Sequence, residues 1–200
     1  MKLIAVSQRI DFLRDRGETR DSIDQNLSEL ILLSGNLPVP VPNGLATSKD
    51  VSNLVDWLKR TAPQGVILSG GNDLGEYPIR DATEACLIHY AQEKLIPVLG
   101  ICRGMQMLAH SFGASMRKVE GHVCTKHNLV GEVSWTVNSF HNFSISKCPD
   151  SFKVFACSED GEIEGIKHTN LPWEGWMWHP ERENPIREME VNRVRELLSQ

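Results

Sequence analysis

The hydrophobic pattern of the first half of the chain alternates between short apolar runs and segments with helical spacing. Runs rich in branched side chains predict strands at residues 3–6, 37–41, 66–68 and 95–99, the last of them buried on both faces. The segments between them repeat apolar residues every three or four positions, as in amphipathic helices. This alternation predicts an α/β protein with a mainly parallel central sheet and helices on both faces.

Local signals set the expected ends of these elements. Asp21 or Ser22 can cap a first helix, which Gly35 would end. Residues 80–93 predict the helix that leads to the fourth strand. The prolines in residues 37–41 share one parity, which predicts an edge strand.

The second half is rich in short predicted strands. They fall at residues 130–137, 152–157, 163–167 and 175–178, and a final helix is predicted at 186–198. No internal repeat, linker or low-complexity stretch interrupts the pattern. We therefore predict a single domain that covers residues 1–200, a length that can bury about 70% of the unfolded chain's surface.

Cys102 lies in the sequence Gly100-Ile101-Cys102-Arg103-Gly104, between the fourth predicted strand and a predicted helix. Glycine two positions to either side lets strand and helix approach closely, as in a nucleophile elbow. The thiol would stand at a helix N-terminus, where the positive end of the helix dipole favours thiolate. A buried core cysteine is the alternative interpretation.

A partner for this thiol is found in the segment Trp178-His179-Pro180-Glu181. If the segment is extended, His179 and Glu181 point to the same side, so the carboxylate can orient the imidazole. Another candidate feature is Ser69-Gly70-Gly71, which follows a predicted strand. Its amides could form an oxyanion site, although an ordinary turn also fits.

The chain resembles the class I glutamine amidotransferase superfamily, which has a flavodoxin-like fold, and within it the γ-glutamyl hydrolase branch, peptidase family C26. The resemblance covers nearly the whole chain, and it rests on four motifs in the family's order. These are Ser69-Gly70-Gly71, Gly100 to Gln106, Val137-Asn138-Ser139-Phe140-His141 and Trp178-His179-Pro180-Glu181. The chain departs from the family at Asn142-Phe143, where a second His or Gln is common.

The resemblance implies a role for each matched residue. Cys102 would be the nucleophile, His179 the base and Glu181 its orienting acid. The amides of Gly71 and Arg103 would form the oxyanion hole. The residues implied in holding the glutamyl group are Gly70, Gln106, Ser139, Phe140 and His141.

The N-terminal segment is similar to that of hydrolases which release glutamate from nucleotide-linked γ-glutamyl amidates in capsule biosynthesis. Residues 9–20 contain Arg9, Arg14, Arg16 and Arg20, whose guanidinium groups suit a pyrophosphate. Acidic residues are interspersed among them, so a solvated mixed-charge loop is the alternative.

Composition narrows the class of protein. A formal net charge of −5 and the lack of a basic run argue against a nucleic-acid partner. Five cysteines without a Cys-x-x-Cys pair argue against disulfides and structural zinc, and predict a reducing cytoplasm. No apolar run suits a signal peptide or a membrane span. The oligomeric state stays open.

No cofactor and no metal are predicted. His122 and His127 flank Cys124, but their spacing matches no known ligand set, so we predict a mobile polar loop there.

The predicted function is cysteine-dependent hydrolysis of a γ-glutamyl amide, with a nucleotide-linked amidate as the favoured small-molecule substrate. A γ-glutamyl-amine hydrolase and a glutaminase subunit that delivers ammonia to a synthase are the alternatives. A non-catalytic regulatory module is the least favoured.

Overall fold

A computed structural model describes residues 1–200 and contains five α-helices and thirteen strands. The helices are α1 Gln25–Leu33, α2 Ser52–Thr61, α3 Pro78–Lys94, α4 Arg103–Ser111 and α5 Glu188–Ser199. The strands are β1 Leu3–Ser7, β2 Arg9–Leu13, β3 Glu18–Ser22, β4 Leu37–Val41, β5 Gly65–Leu68, β6 Val98–Ile101, β7 Met116–Lys118, β8 Val123–Gly131, β9 Thr136–Phe140, β10 Phe143–Ile145, β11 Phe152–Ser158, β12 Ile163–His168 and β13 Trp173–Trp176. Short 3₁₀ turns occur at Asn43–Leu45 and Pro180–Arg182.

Nine strands form one central sheet in the order β4-β1-β5-β6-β13-β12-β11-β8-β9. The pairs from β4 to β13 are parallel, and those from β13 to β9 are antiparallel. Strand β13 joins the two halves, because it pairs parallel with β6 and antiparallel with β12. The predicted α/β class, with its strand-rich second half, is confirmed.

Helices cover both faces of the parallel half. In β5, Val66 and Leu68 pack into a core with α2, α3 and α4, whereas Ile67 packs into a second core with α1 and α5. All three side chains are fully buried, as the continuous apolar run predicts. Each such side chain contributes about 1.5–3 kcal/mol to folding.

The segment before α1 differs from the prediction. Residues 9–22 form an antiparallel hairpin of β2 and β3 rather than a loop and a helix start. Asp24 caps α1 by accepting a hydrogen bond from the Asn26 amide. Asp21 is instead used in a tertiary contact, where it accepts hydrogen bonds from the backbone and side chain of Asn43 at 2.8 Å. The predicted cap at Asp21 or Ser22 is therefore wrong.

Three predicted strands are displaced. The strand before Cys102 is Val98–Ile101 rather than residues 95–99, because Leu95 adopts a left-handed conformation with φ 55° and ends α3. Residues 130–137 do not form one strand, since β8 ends at Gly131 and β9 begins at Thr136. The strand predicted at 175–178 is Trp173–Trp176, so it ends before the histidine motif.

The region around Cys124 is also ordered differently from the prediction. His127 lies within β8, and His122, which precedes it, is 3% exposed. The expected mobile polar loop is therefore wrong, because both histidines pack against other strands of the sheet rather than into solvent.

The topology brings the sequence motifs together. Strands β5, β6 and β13 are parallel, so their carboxyl ends lie at one edge of the sheet. Ser69 follows β5, Cys102 follows β6, and His179 comes shortly after β13. Open sheets of this kind bind ligands at that edge. None of the helices is long and apolar enough to cross a membrane.

Candidate active site

Cys102 occupies a strained turn between β6 and α4. Its backbone has φ 51° and ψ −107°, an unusual conformation for a residue with a side chain. The Cys102 amide donates a hydrogen bond to the Trp176 carbonyl at 2.7 Å, which fixes the turn to the end of β13. The side chain is 6% exposed. This geometry is that of the predicted elbow.

Glycine is required on both sides of Cys102 by close backbone packing. A Cβ at Gly100 would lie 2.6 Å from the Gly104 carbonyl oxygen, and a Cβ at Gly104 would overlap the Leu68 carbonyl. Helix α4 can therefore begin directly above β5 and β6 only because these two positions lack side chains.

His179 and Glu181 are hydrogen bonded, although not for the predicted reason. The imidazole Nδ1 lies 2.6 Å from the Glu181 Oε1 atom, and Nδ1 must donate because the carboxylate accepts. Glu181 lies in the 3₁₀ turn Pro180–Arg182, not in an extended strand. This turn, which begins at Pro180, brings the Glu181 carboxylate within hydrogen-bond distance of the His179 imidazole.

Asn138 holds the histidine backbone in place. Its side-chain oxygen accepts from the His179 amide at 2.9 Å, and its amide donates to the His179 carbonyl at 2.8 Å. This two-point contact ties β9 to the segment after β13. Because His179 is 2% exposed, its ring has little freedom to leave the thiol.

The electrostatics of His179 favour the imidazolium. Burial alone would lower the pKa of this imidazole, but the charge and hydrogen bonding of Cys102, together with Glu181, raise its pKa to about 9. A histidine with its ordinary value, about 6.5, would be mostly neutral at pH 7. In this site the ring therefore carries a proton next to the cysteine sulfur.

The loop after β5 lies beside the same histidine. A Cβ at Gly70 would lie 2.6 Å from the Cε1 atom of His179, so the imidazole needs glycine there. Gly71 has φ +81°, a conformation that favours glycine. Arg103 is the first residue of α4, so its amide is one of the four that the helix leaves without an internal partner.

Arg80, which sequence reasoning missed, holds this loop. Its guanidinium is fully buried and donates to the carbonyls of Ser69, at 2.8 Å, Gly70, at 2.9 Å, and Gly71. Burial, together with the positive charge of Arg9, lowers the pKa of Arg80 to about 10, so the group remains charged at neutral pH. The Ser69 amide donates to the Ser7 hydroxyl oxygen at 2.9 Å, so only the amides of Gly70 and Gly71 remain for the proposed oxyanion site.

Glu84 links Arg80 to the elbow helix. It is fully buried, pairs with Arg80 at 3.1 Å, and also forms an ion pair with Arg103. Arg103 contacts Asp81 as well, so its side chain is used in the fold. The sequence contains a signal for this buried ion pair, because the spacing of Arg80, Glu84 and Leu87 places them on one face of a helix. Two charged residues on an otherwise apolar face indicate a buried ion pair.

A cavity of about 180 Å³ opens beside the thiol. Of the predicted site residues, its lining contains Gly71, Cys102, Arg103, Gln106, Phe140, His141 and His179. Gln106 is held there by donating to the Phe143 carbonyl at 3.0 Å. Ser139 is fully buried and lies outside this lining, where its hydroxyl donates to the His122 carbonyl at 2.7 Å. Its hydroxyl therefore contacts the fold rather than this cavity.

A smaller cavity of about 60 Å³ lies on the other side of His179. Arg9, Gly70, Gly71 and Glu181 line it, together with Arg182. Arg182 also lines the larger cavity and stacks over the Phe140 ring, 4.6 Å from its centroid. It was not predicted, although it directly follows the His179-Pro180-Glu181 motif.

The structure separates the four arginines of the N-terminal segment. Arg9 reaches the small cavity and packs against Gly71. Arg14 and Arg16 lie in the exposed turn of the hairpin, and Arg20 is paired with Glu18 at 2.8 Å on its exposed surface. Only the first of them lies at the candidate site.

The fold and the site together define an α/β protein with a cysteine, a histidine and a glutamate at the carboxyl edge of its sheet. The family model described as "Glutamine amidotransferase class-I" matches residues 20–193. The chain therefore belongs to the class I glutamine amidotransferase family.

The relatives of this chain include a hydrolase and a component of a synthase. The chain is 38% identical over 134 residues to a γ-glutamyl-CDP-amidate hydrolase of Campylobacter jejuni, covering 64% of this chain and 67% of that protein. It is 32% identical over 174 residues to anthranilate synthase component 2 of Thermococcus kodakarensis, covering 81% and 83%.

Solved structures share the fold. A putative GMP synthase protein from Thermoplasma acidophilum superimposes with a TM-score of 0.72 at 21% identity, covering 100% of this chain and 94% of that one. A glutamine amidotransferase from Thermotoga maritima gives 0.64 at 20% identity, covering 98% and 81%.

Proposed function

We propose that this protein hydrolyses a γ-glutamyl amide and releases glutamate through a thioester on Cys102. The observation that carries the proposal is the arrangement of three side chains. Cys102 lies on a strained turn, its sulfur raises the pKa of His179, and Glu181 accepts the hydrogen bond from Nδ1 of that imidazole. A nucleophile, a base and an orienting acid in this relation favour acyl transfer.

The reaction has two stages. The Cys102 thiolate attacks the γ-carbonyl carbon, and the oxyanion that forms accepts hydrogen bonds from the amides of Gly71 and Arg103. His179 gives its proton to the leaving nitrogen as the carbon–nitrogen bond breaks. The neutral imidazole then takes a proton from water, whose oxygen attacks the thioester. The carbon–sulfur bond breaks, which releases glutamate and restores the Cys102 thiolate beside the imidazolium.

The larger cavity suits the acyl group. Its volume of about 180 Å³ is appropriate to a glutamyl group. Gln106, Phe140 and His141 line it beside the thiol. Arg182 at the same cavity supplies a cation for an anionic leaving group. These contacts support a γ-glutamyl substrate.

We propose γ-glutamyl-CDP-amidate as the substrate, with cytidine diphosphoramidate as the second product, in capsule biosynthesis. The Campylobacter relative named for this substrate supports the proposal. Arg9 and Arg182 both line the small cavity next to His179, and two guanidinium groups suit the oxygens of a diphosphate. The predicted binding of the diphosphate by Arg14, Arg16 and Arg20 has no comparable support, because these residues do not line either cavity.

The second candidate is a glutaminase subunit that passes ammonia to a separate synthase. It is favoured by the similarity to anthranilate synthase component 2, which covers 81% of this chain. The third, a γ-glutamyl-amine hydrolase, uses the same three side chains with a leaving group that carries no diphosphate.

A substrate panel separates these candidates. The purified chain, without any partner, is given γ-glutamyl-CDP-amidate, glutamine and γ-glutamyl-γ-aminobutyrate, and released glutamate is measured. We expect kcat/KM to be highest for the nucleotide amidate. If glutamine were hydrolysed fast and the larger substrates were not preferred, the protein would be a glutaminase. A preference for γ-glutamyl-γ-aminobutyrate would support the third candidate.

We expect Arg9→Ala and Arg182→Ala to raise KM for the nucleotide amidate by about 10- to 100-fold, because each removes a charge-assisted hydrogen bond to phosphate. KM for γ-glutamyl-γ-aminobutyrate should change much less. Arg20→Ala is the matched control, since Arg9 and Arg20 are both paired with an acidic neighbour on the hairpin, but Arg20 lines neither cavity. Equal effects of an Arg9 substitution on both substrates would contradict diphosphate recognition.

A further inference from the structure

A buried carboxylate behind the wall of the larger cavity is surrounded by three imidazoles. Glu164 of β12 is fully buried, and its oxygens face His122, His127 and His141. The distances are 3.5 Å from Oε1 to His122 Nδ1, 3.4 Å from Oε2 to His127 Nε2, and 3.3 Å from Oε1 to His141 Nε2. We call these four residues the His₃Glu cluster.

All five inward-facing atoms of the His₃Glu cluster lack a hydrogen-bond partner. They are both oxygens of Glu164, His122 Nδ1, His127 Nε2 and His141 Nε2. Charge-assisted hydrogen bonds between nitrogen and carboxylate oxygen are shorter, at about 2.7–2.9 Å. A buried carboxylate without partners costs several kcal/mol. The cluster therefore needs a group between its members.

The outer nitrogens determine the protonation of two of the rings. His122 Nε2 lies 2.9 Å from Asp160 Oδ2, and His141 Nδ1 lies 3.0 Å from the Phe143 carbonyl. Both oxygens can only accept, so both outer nitrogens carry hydrogen. In the neutral imidazoles, the lone pairs of the inner nitrogens then point toward Glu164, which is repulsive unless a cation lies between them.

Protonation of all three rings is a poor alternative. The ring centroid of His122 lies 5.0 Å from that of His127 and 4.8 Å from that of His141. Three imidazoliums this close, around one buried carboxylate, would repel one another in a medium of low polarity.

The distances suit a tetrahedral metal ion. With metal–ligand bonds of about 2.0–2.2 Å, neighbouring ligand atoms in a zinc tetrahedron lie about 3.3–3.6 Å apart. The contacts of Glu164 with His122 and His127 fall in this range. One donor atom each from His122, His127 and Glu164 lies within 4.8 Å of the others. We infer that His122, His127 and Glu164 bind a zinc ion, with the His141 ring beside the site.

The outer contacts of the cluster match those of metal-bound histidines, which usually donate their second ring N–H to a carboxylate or a backbone carbonyl. With three protein ligands, a water molecule would complete the tetrahedron. The site would join β8 and the residue just before it to β12. The Phe143 carbonyl accepts from both His141 and Gln106, so the cluster also contacts the cavity wall through His141.

The test begins with the unmodified protein and does not depend on its reaction. Protein freed of metal by a chelator is titrated with Zn²⁺ against a chromogenic zinc indicator, and the bound metal is examined by X-ray absorption. We expect one tightly bound zinc per chain, with a nitrogen and oxygen shell at about 2.0–2.1 Å and no sulfur. Weak or substoichiometric binding, or a sulfur ligand, would overturn the inference.

Variants then assign the ligands. His127→Ala is expected to weaken zinc binding by at least about 100-fold, and Asp160→Asn by about 10- to 100-fold through the outer hydrogen bond. His89→Ala is the matched control, since this histidine is exposed on α3. Zinc should also raise the Tm of the wild type but not that of His127→Ala. Equal zinc affinity in His127→Ala and the control would overturn the inference.

Discussion

Replacing Cys102 with alanine is expected to reduce kcat for γ-glutamyl hydrolysis by at least about 10⁴-fold. The substitution removes the only group proposed to form the acyl bond, and the remaining oxyanion and binding contacts cannot replace a nucleophile. Release of glutamate measured over long incubations gives the residual rate. An electrophilic γ-glutamyl analogue should add covalently to the wild type at the peptide that contains Cys102, and should not add to the variant.

Cys86→Ala provides the control for this result. Cys86 is a partly buried free thiol on α3, away from the cavity beside Cys102, so its loss should leave kcat nearly unchanged. The backbone at residue 102 is strained, so the fold of Cys102→Ala must be checked separately. Circular dichroism and the Tm of the variant provide this check. A folded Cys102→Ala protein with full activity would refute the thioester mechanism.

The second large effect is expected for Glu181→Gln, with a decrease in kcat of about 10²- to 10⁴-fold. The carboxylate accepts the Nδ1–H bond at 2.6 Å and stabilises the charged imidazole. Glutamine preserves the volume but not the negative charge. Glu196→Gln, on the exposed face of α5, is the matched control, and comparable activity of both variants would refute the orienting role.

The same substitution should change the pH profile. In the wild type the pKa of His179 is raised to about 9, so kcat/KM should decline above that pH as the imidazolium that protonates the leaving nitrogen is lost. Glu181→Gln should move this alkaline limb to lower pH. Because the pKa of His179 is higher in the folded than in the unfolded protein, protonation of this imidazole stabilises the fold. This stabilisation is complete below the ordinary pKa of about 6.5 and is lost as the pH rises through about 9. An alkaline limb unchanged in the variant would contradict the assignment.

The placement of two of the four motifs, Ser69-Gly70-Gly71 and the segment around Cys102, could be predicted from local signals. Apolar runs predicted β1, β5 and the strand before Cys102, and glycine spacing predicted the close packing around the elbow. Parallel strands end at the same edge of a sheet, so the order of elements was sufficient to bring Ser69 and Cys102 together. These inferences hold because each depends on a few neighbouring residues.

The errors have a common cause, which is competition between local preference and tertiary contacts. Asp21 has the side chain of a helix cap, but its carboxylate contacts Asn43 instead. His179 and Glu181 were predicted to meet on one face of a strand, whereas a 3₁₀ turn brings them together. Periodicity alone could not distinguish these alternatives.

The sequence by itself determined the α/β class and the elbow at Cys102, since these follow from short-range patterns and recognisable motifs. Only the tertiary structure decided what supports them. The buried Arg80 beneath the Gly70-Gly71 loop and the His₃Glu cluster around Glu164 join residues far apart in the chain. Such contacts carry no local period, because they depend on which strands lie side by side.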